Sequence, residues 1–146
     1  MSFQQLRFED IEIGKEAVIQ RTITEDDVNT FGELSGDLNP LHMDEQFASK
    51  TPFGRRVVHG MFTAALVSAT HTSLTGPGYV YVGQELNFKG PVHIGDTLTV
   101  SVTVVEKKTA KSILVMETKV TNQNGQLILD GKSALKELAA LQQAKQ

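Results

Sequence analysis

Thr97-Leu98-Thr99-Val100-Ser101-Val102-Thr103-Val104 alternates hydroxyl and apolar side chains without a break. A period of two marks a strand with one face buried and the other in water. Residues 111–121 and 126–136 continue in the same style, and Asn124-Gly125 between them is the strongest short hairpin signal. Residues 79–88 give another strand, closed by Gly90-Pro91, and residues 16–23 a shorter one. Residues 58–71 have a different period. Val58, Met61, Phe62, Ala65, Leu66 and Ala69 make one helical apolar face, which Ala64 and Val67 extend nearly all the way round. That pattern predicts a buried helix. Strands separated by turns imply an antiparallel sheet. The expected fold is α+β: a long, curved antiparallel sheet around one buried helix.

A second helix is expected ahead of it. Thr24 is placed to cap it, and Glu25, Asp26 and Asp27 fill the first turn, where the helix dipole favours negative charge. Val28, Phe31 and Leu34 follow at helical spacing, and Gly36 ends the element. Next comes Asp37-Leu38-Asn39-Pro40-Leu41-His42. Pro40 fixes its own φ and pushes Asn39 into an extended conformation, so one continuous helix is excluded. A stiff loop holding Asp37 and His42 in a set relation is expected. A carboxylate and an imidazole are the side chains most able to exchange protons with water near neutral pH. A short helix over 44–49 and a turn at Thr51-Pro52-Phe53-Gly54 should follow.

Composition narrows the function. The 146 residues suit a single domain spanning residues 1–146, with its core over about 8–135. The net charge of −3 and the pI near 5.8 argue against nucleic acid as the main partner. There is no cysteine, hence no disulfide, thiolate chemistry or Cys-ligated metal. The N-terminus lacks a signal pattern, and the longest apolar stretch, Val57 to Thr70, is too short for a bilayer and is interrupted by His59, Gly60 and Ser68. No membrane partner and a cytoplasmic location are expected.

The run Phe31-Gly32-Glu33-Leu34-Ser35-Gly36-Asp37-Leu38-Asn39-Pro40-Leu41-His42-Met43-Asp44 resembles the signature of the MaoC-like (R)-specific enoyl-CoA hydratases. Val58-His59-Gly60-Met61 is similar to the start of that family's central helix. Gly83 to Val92 and Ile94-Gly95-Asp96 are similar to its following strand and turn. The resemblance implies a hot-dog fold, a homodimer, and addition of water across trans-2-enoyl-CoA to give (R)-3-hydroxyacyl-CoA. It implies no cofactor, and an acyl-CoA partner, with acyl carrier protein as an alternative carrier. Two rivals stay open: a hot-dog acyl-CoA thioesterase and a non-catalytic acyl-thioester-binding subunit.

Residue by residue, Asp37 and His42 match the family's catalytic pair; their bland alternative is a turn cap and a satisfied core histidine. Asn39 matches the signature asparagine and is expected chiefly to shape the turn before Pro40. Gly60 matches the glycine whose backbone N–H serves as oxyanion donor, which suits a helix N-terminus. Ser68 matches a site-lining serine, although from sequence alone a bond to its own helix backbone competes. His59 is expected to pin the helix start by a hydrogen bond, and His71 and His93 to lie on the surface or in loops. His42, Asp44 and His59 could offer metal ligands, but no His-Glu-x-x-His or comparable spacing exists, so no metal is expected. No Gly-x-Ser-x-Gly elbow is present. Arg55-Arg56 and the Lys107, Lys108, Lys111 cluster are both candidates for the phosphates of CoA.

Overall fold

The computed structural model describes residues 5–138; the polar tail from Ala139 to Gln146, expected to fray, lies outside the described residues. Five strands, β1 (Glu16–Thr22), β2 (Tyr79–Phe88), β3 (Thr97–Lys108), β4 (Ile113–Thr121) and β5 (Leu127–Glu137), form one antiparallel sheet in the order β1-β3-β4-β5-β2. Helices α1 (Glu25–Ser35), α2 (Pro40–Met43), α3 (Glu45–Ser49) and α4 (Gly60–Thr75) complete it. The sheet wraps α4, which packs against β3, β1 and β2. This is the expected hot-dog arrangement.

The alternation in β3 does what its period predicts. Leu98, Val100, Val102 and Val104 are fully buried, and Leu114, Met116 and Val120 of β4 join them under Val67 and Leu74 of α4. β3 runs beyond the expected 97–105 because Glu106, Lys107 and Lys108 keep pairing with Val115, Leu114 and Ile113 past a register shift. Gly125 takes φ +75° in the β4–β5 turn, a conformation that glycine adopts without steric cost.

Helix α4 departs from the sequence reading in two ways. It begins at Gly60, because the Val58 N–H is engaged by the Val92 carbonyl at 2.7 Å and His59 is extended at the N-cap. It ends at Thr75, where Gly76 turns the chain at φ +70°. The buried face is Thr63, Val67, Thr70, His71 and Leu74, while Met61 is 58% exposed and Ala65 and Ala69 are open. The helix is therefore half-covered: of the expected apolar face, Val58 is buried, Phe62 and Leu66 pack against the core, and Met61, Ala65 and Ala69 are open. Threonines can occupy the core because their hydroxyls bond back to helix carbonyls: Thr70 Oγ1 to Leu66 O at 2.8 Å, Thr75 Oγ1 to His71 O at 3.2 Å. Of Val28, Phe31 and Leu34, set at helical spacing along α1, Val28 is buried with Gly32 and Leu34 is 84% exposed. Gly32 sits against the Met43 sulfur so closely that a Cβ there would be 2.6 Å away.

One glycine in the sheet is fixed by contact. A Cβ on Gly131 of β5 would overlap the Glu85 carbonyl of β2, a backbone atom that cannot swing aside. Gly131→Ala should therefore destabilise the protein by about 3 kcal/mol, the upper range for overpacking. Urea unfolding should show a lower midpoint at an unchanged slope; a midpoint within error of the parent would contradict the contact.

Candidate active site

The segment carrying Asp37 and His42 is built by successive local caps. Thr24 and Asp27 form a reciprocal capping box at the start of α1: Asp27 N–H donates to Thr24 Oγ1 at 3.1 Å and Thr24 N–H to Asp27 Oδ2 at 3.0 Å. The helix ends at Gly36 with φ +80°. Ser35 Oγ donates to the Phe31 carbonyl at 2.7 Å and accepts the Asp37 N–H at 3.1 Å. Asn39 Oδ1 then accepts the Leu41 N–H at 3.0 Å and caps α2, with Pro40 in its first turn. His42 thus stands on a helical turn rather than in the expected loop. Proline forbids helix before itself but is well placed to begin one. Asn39 shapes this turn, as its place before proline suggests.

Two imidazole bonds close the site. His42 Nδ1 lies 2.6 Å from the Val57 carbonyl oxygen. A carbonyl only accepts, so Nδ1 carries the proton and Nε2 of the neutral ring keeps a lone pair. His59 Nε2 likewise donates to the Asp37 carbonyl at 2.9 Å. The two rings lie 4.1 Å apart at 30°, and Phe31 flanks His59 with centroids 5.0 Å apart. The expected pinning role of His59 is realised, across the loop to Asp37. Its Nδ1 is buried with no hydrogen-bond partner among the described residues.

Asp37, His42 and His59 each offer an atom within 4.8 Å of the others. Groups at that separation can share one water at ordinary hydrogen-bond distances. The spacing 37, 42, 59 matches no ligand motif, since loop, α2 and the N-cap of α4 meet only on folding. Asp44, considered beside the two histidines, is elsewhere: its Oδ1 accepts from Gln46 N–H at 2.9 Å and Phe47 N–H at 3.2 Å, capping α3.

Gly60 opens α4, so its N–H has no acceptor within the helix. The Phe88 ring packs against it, and a Cβ on Gly60 would meet Phe88 Cε1 at 2.7 Å. An apolar cavity of about 230 Å³ here is lined by His42, Gly60, Thr63, Phe88, Val92 and Ile128, among others. A larger groove of about 510 Å³ runs between α4 and β2, past Phe31, Met61, Ala64, Ala65, Ser68, Tyr81 and Leu86. Ser68 lines that groove. Behind the groove lies a polar set that the sequence did not announce. His71, expected near the surface, is 1% exposed, with Nδ1 2.7 Å from the Tyr81 hydroxyl and Nε2 2.7 Å from Ser133 Oγ. Burial lowers the His71 pKa to about 4 and pushes the Tyr81 phenol up to about 12.

Arg56 is no longer free for CoA. It is buried, with Nε donating to the His42 carbonyl at 2.6 Å, Nη2 to Asn29 Oδ1 at 2.6 Å and Nη1 to Glu25 Oε1 at 3.2 Å. This fork ties α2 to α1. His93, half-buried, donates Nδ1–H to the Arg56 carbonyl at 3.0 Å and is not a free loop residue. Arg55 remains exposed.

A sheet wrapped on a helix in this way is matched by known proteins. The family model described as MaoC like domain matches residues 9–126. The chain belongs to the MaoC-like domain family. It is 50% identical over 102 residues to a 3-hydroxybutyryl-CoA dehydratase of Methylorubrum extorquens, a match that covers 69% of this chain and 65% of that protein. It is 42% identical to an (R)-specific enoyl-CoA hydratase of Rhodospirillum rubrum, over 88% of this chain and 89% of the relative. Among solved structures, the unliganded (R)-hydratase PhaJ1 of Pseudomonas aeruginosa superposes with a TM-score of 0.87 at 38% identity, covering 93% of this chain and 88% of that one.

The buried His71 makes stability pH-dependent. Its pKa is lower folded than unfolded, so between about pH 6.5 and 4 the unfolded chain binds more protons. Its contribution is complete above about pH 6.5 and is lost as pH falls towards 4, by about 2–4 kcal/mol. His71→Gln can still bond Tyr81 and Ser133 but cannot titrate. Urea midpoints measured from pH 7 to 4 should fall more steeply for the parent than for this variant; parallel profiles would refute the assignment.

Proposed function

We propose that this protein is an (R)-specific enoyl-CoA hydratase, a hydro-lyase that adds water to trans-2-enoyl-CoA and gives (R)-3-hydroxyacyl-CoA. The observation that carries the reading is the convergence of Asp37 and His42 at the start of α4, with the His42 tautomer fixed by the Val57 carbonyl. A water held between the Asp37 carboxylate and His42 Nε2 is oriented towards Cβ. As its oxygen bonds to Cβ, the pair takes its proton, and a proton is delivered to Cα, so the pair ends as it began. Negative charge developing on the thioester oxygen is met by the Gly60 N–H and the positive end of α4. The dehydratase and hydratase names of the relatives support the same chemistry read in opposite directions. No step calls for a cofactor or metal.

The carrier is CoA in this reading, with acyl carrier protein as the alternative, and the setting is cytoplasmic. Among the described residues no helix is long and apolar enough to cross a membrane. Hydrolysis by a thioesterase route is the rival reaction. It releases free thiol, whereas hydration consumes enoyl absorbance and leaves the thioester intact.

A homodimer is part of the proposal. β2 is an edge strand of ten residues with Val80, Val82 and Phe88 exposed, and Met61 of α4 lies exposed on the same side as its groove. Long apolar edges are normally paired or covered. Sedimentation equilibrium at micromolar concentration should give twice the chain mass; a monomer would contradict it.

The pair should behave as one unit. Asp37→Asn and His42→Gln should each lower kcat by about 10²–10⁴, and the double variant should cost little more than the worse single one. The assay is loss of enoyl absorbance from crotonyl-CoA with chiral analysis of product, repeated after exhaustive chelation, which should leave the rate unchanged. Near-full turnover by both single variants in folded protein would make the loop a structural brace. A chelation loss restored by a divalent ion would assign Asp37, His42 and His59 to a metal instead.

A further inference from the structure

Resting on the hydratase reading, we propose that Tyr81, held from behind by His71 and Ser133, is the end stop of the acyl groove and sets the longest chain the enzyme accepts.

The groove has a direction. Gly60 of α4 faces Phe88 of β2 at one end, and His71 of α4 faces Tyr81 of β2 at the other. At the first end Phe31 lies on His59, which lies on His42, so the groove opens beside the water-holding pair. Its floor on α4 is Ala64, Ala65 and Ser68, small side chains that leave room, and its walls include Phe31, Met61 and Leu86. An acyl chain whose thioester oxygen meets the Gly60 N–H runs along this floor towards Tyr81.

Tyr81 is fixed there by its surroundings. The pairing of β2 with β5 shifts register between Tyr81 and Gly83, a bulge that re-aims side chains. The Tyr81 ring stands edge-on to His71 at 5.1 Å between centroids, and its hydroxyl bonds His71 Nδ1. His71 is in turn held by Ser133, which is 3% exposed. The low pKa keeps this imidazole neutral, so the chain of bonds persists through the physiological range. A hydrocarbon tail cannot replace any of these bonds. Passing Tyr81 would leave buried polar groups unpaired, a cost that falls on longer chains only.

The length follows from the helix. Gly60 and Ser68 are eight residues apart, about 12 Å at the α-helical rise. An extended hydrocarbon advances about 1.25 Å per bond at ordinary bond lengths and angles. With the thioester carbon beside Gly60, chains of four to about ten carbons fit before Tyr81, and a twelve-carbon chain, about 14 Å long, does not.

The test compares crotonyl-, octenoyl- and dodecenoyl-CoA as kcat/KM. The parent should drop at least about tenfold from octenoyl to dodecenoyl, a discrimination that hydrophobic pockets reach for a few methylenes. Tyr81→Ala, at a side chain that is 37% exposed, should raise the dodecenoyl-to-crotonyl ratio, which does not depend on the fraction of folded enzyme, by about tenfold or more. Tyr81→Phe, which keeps the ring and loses the tether to His71, should raise it less. A parent that uses dodecenoyl-CoA as well as octenoyl-CoA, or a Tyr81→Ala ratio equal to the parent's, overturns the end stop while crotonyl hydration upholds the hydratase reading. Absence of turnover with every thioester overturns that reading, and the end stop with it.

Discussion

Two imidazole-to-carbonyl hydrogen bonds hold the working end of this molecule together. His42 donates to Val57, and His59 donates to Asp37, at 2.6 and 2.9 Å. Each runs from one side of a seam to the other, the first from α2 to the strand-like segment before α4, the second from the N-cap of α4 back to the loop after α1. Because carbonyls only accept, both rings have their donor nitrogen decided by the backbone. The same bonds that join the helices therefore decide which nitrogen of His42 keeps its lone pair. The joining of the helices and the tautomers of the two rings share these contacts, and a change to Val57 or Asp37 backbone geometry would be felt in both.

Around that seam the structure spends polar groups where a helix packed on a sheet would ordinarily carry apolar ones. The inner face of α4 holds Thr63, Thr70, His71 and Thr75. Thr70 and Thr75 return their hydroxyls to the helix, and His71 is satisfied by Tyr81 and Ser133. Thr63 Oγ1 and Thr118 Oγ1 have no partner among the described residues, so the interior is not fully reconciled. Met61, Ala64 and Ala65 lie on the opposite side of α4 and border open space. An inner face made tolerable by local hydrogen bonds leaves the outer face to border the groove between α4 and β2. Arg56 adds a third tie, joining α2 to α1 through the His42 carbonyl, Asn29 and Glu25.

Wherever a rule acts within a few residues, the amino-acid sequence determined the outcome. The alternation of β3 set which valines are buried; Thr24, Gly36 and Asn124-Gly125 set a helix start, a helix end and a hairpin. Asp37, Asn39 and His42 stood out because proline and glycine around them leave few conformations. Tertiary structure decided the rest. Periodicity counted Met61 and Ala65 as part of a buried face because it records side-chain type and not what lies opposite; β1 and β3 pack mainly on the other face of α4. His71 could not be recognised as buried, since its partners lie 10 and 62 residues away. Nor could Arg56 be read as a clamp, or Asp37, His42 and His59 as one cluster. Those relations join residues that are distant along the chain, and only the closing of the sheet around α4 brings them within hydrogen-bond reach.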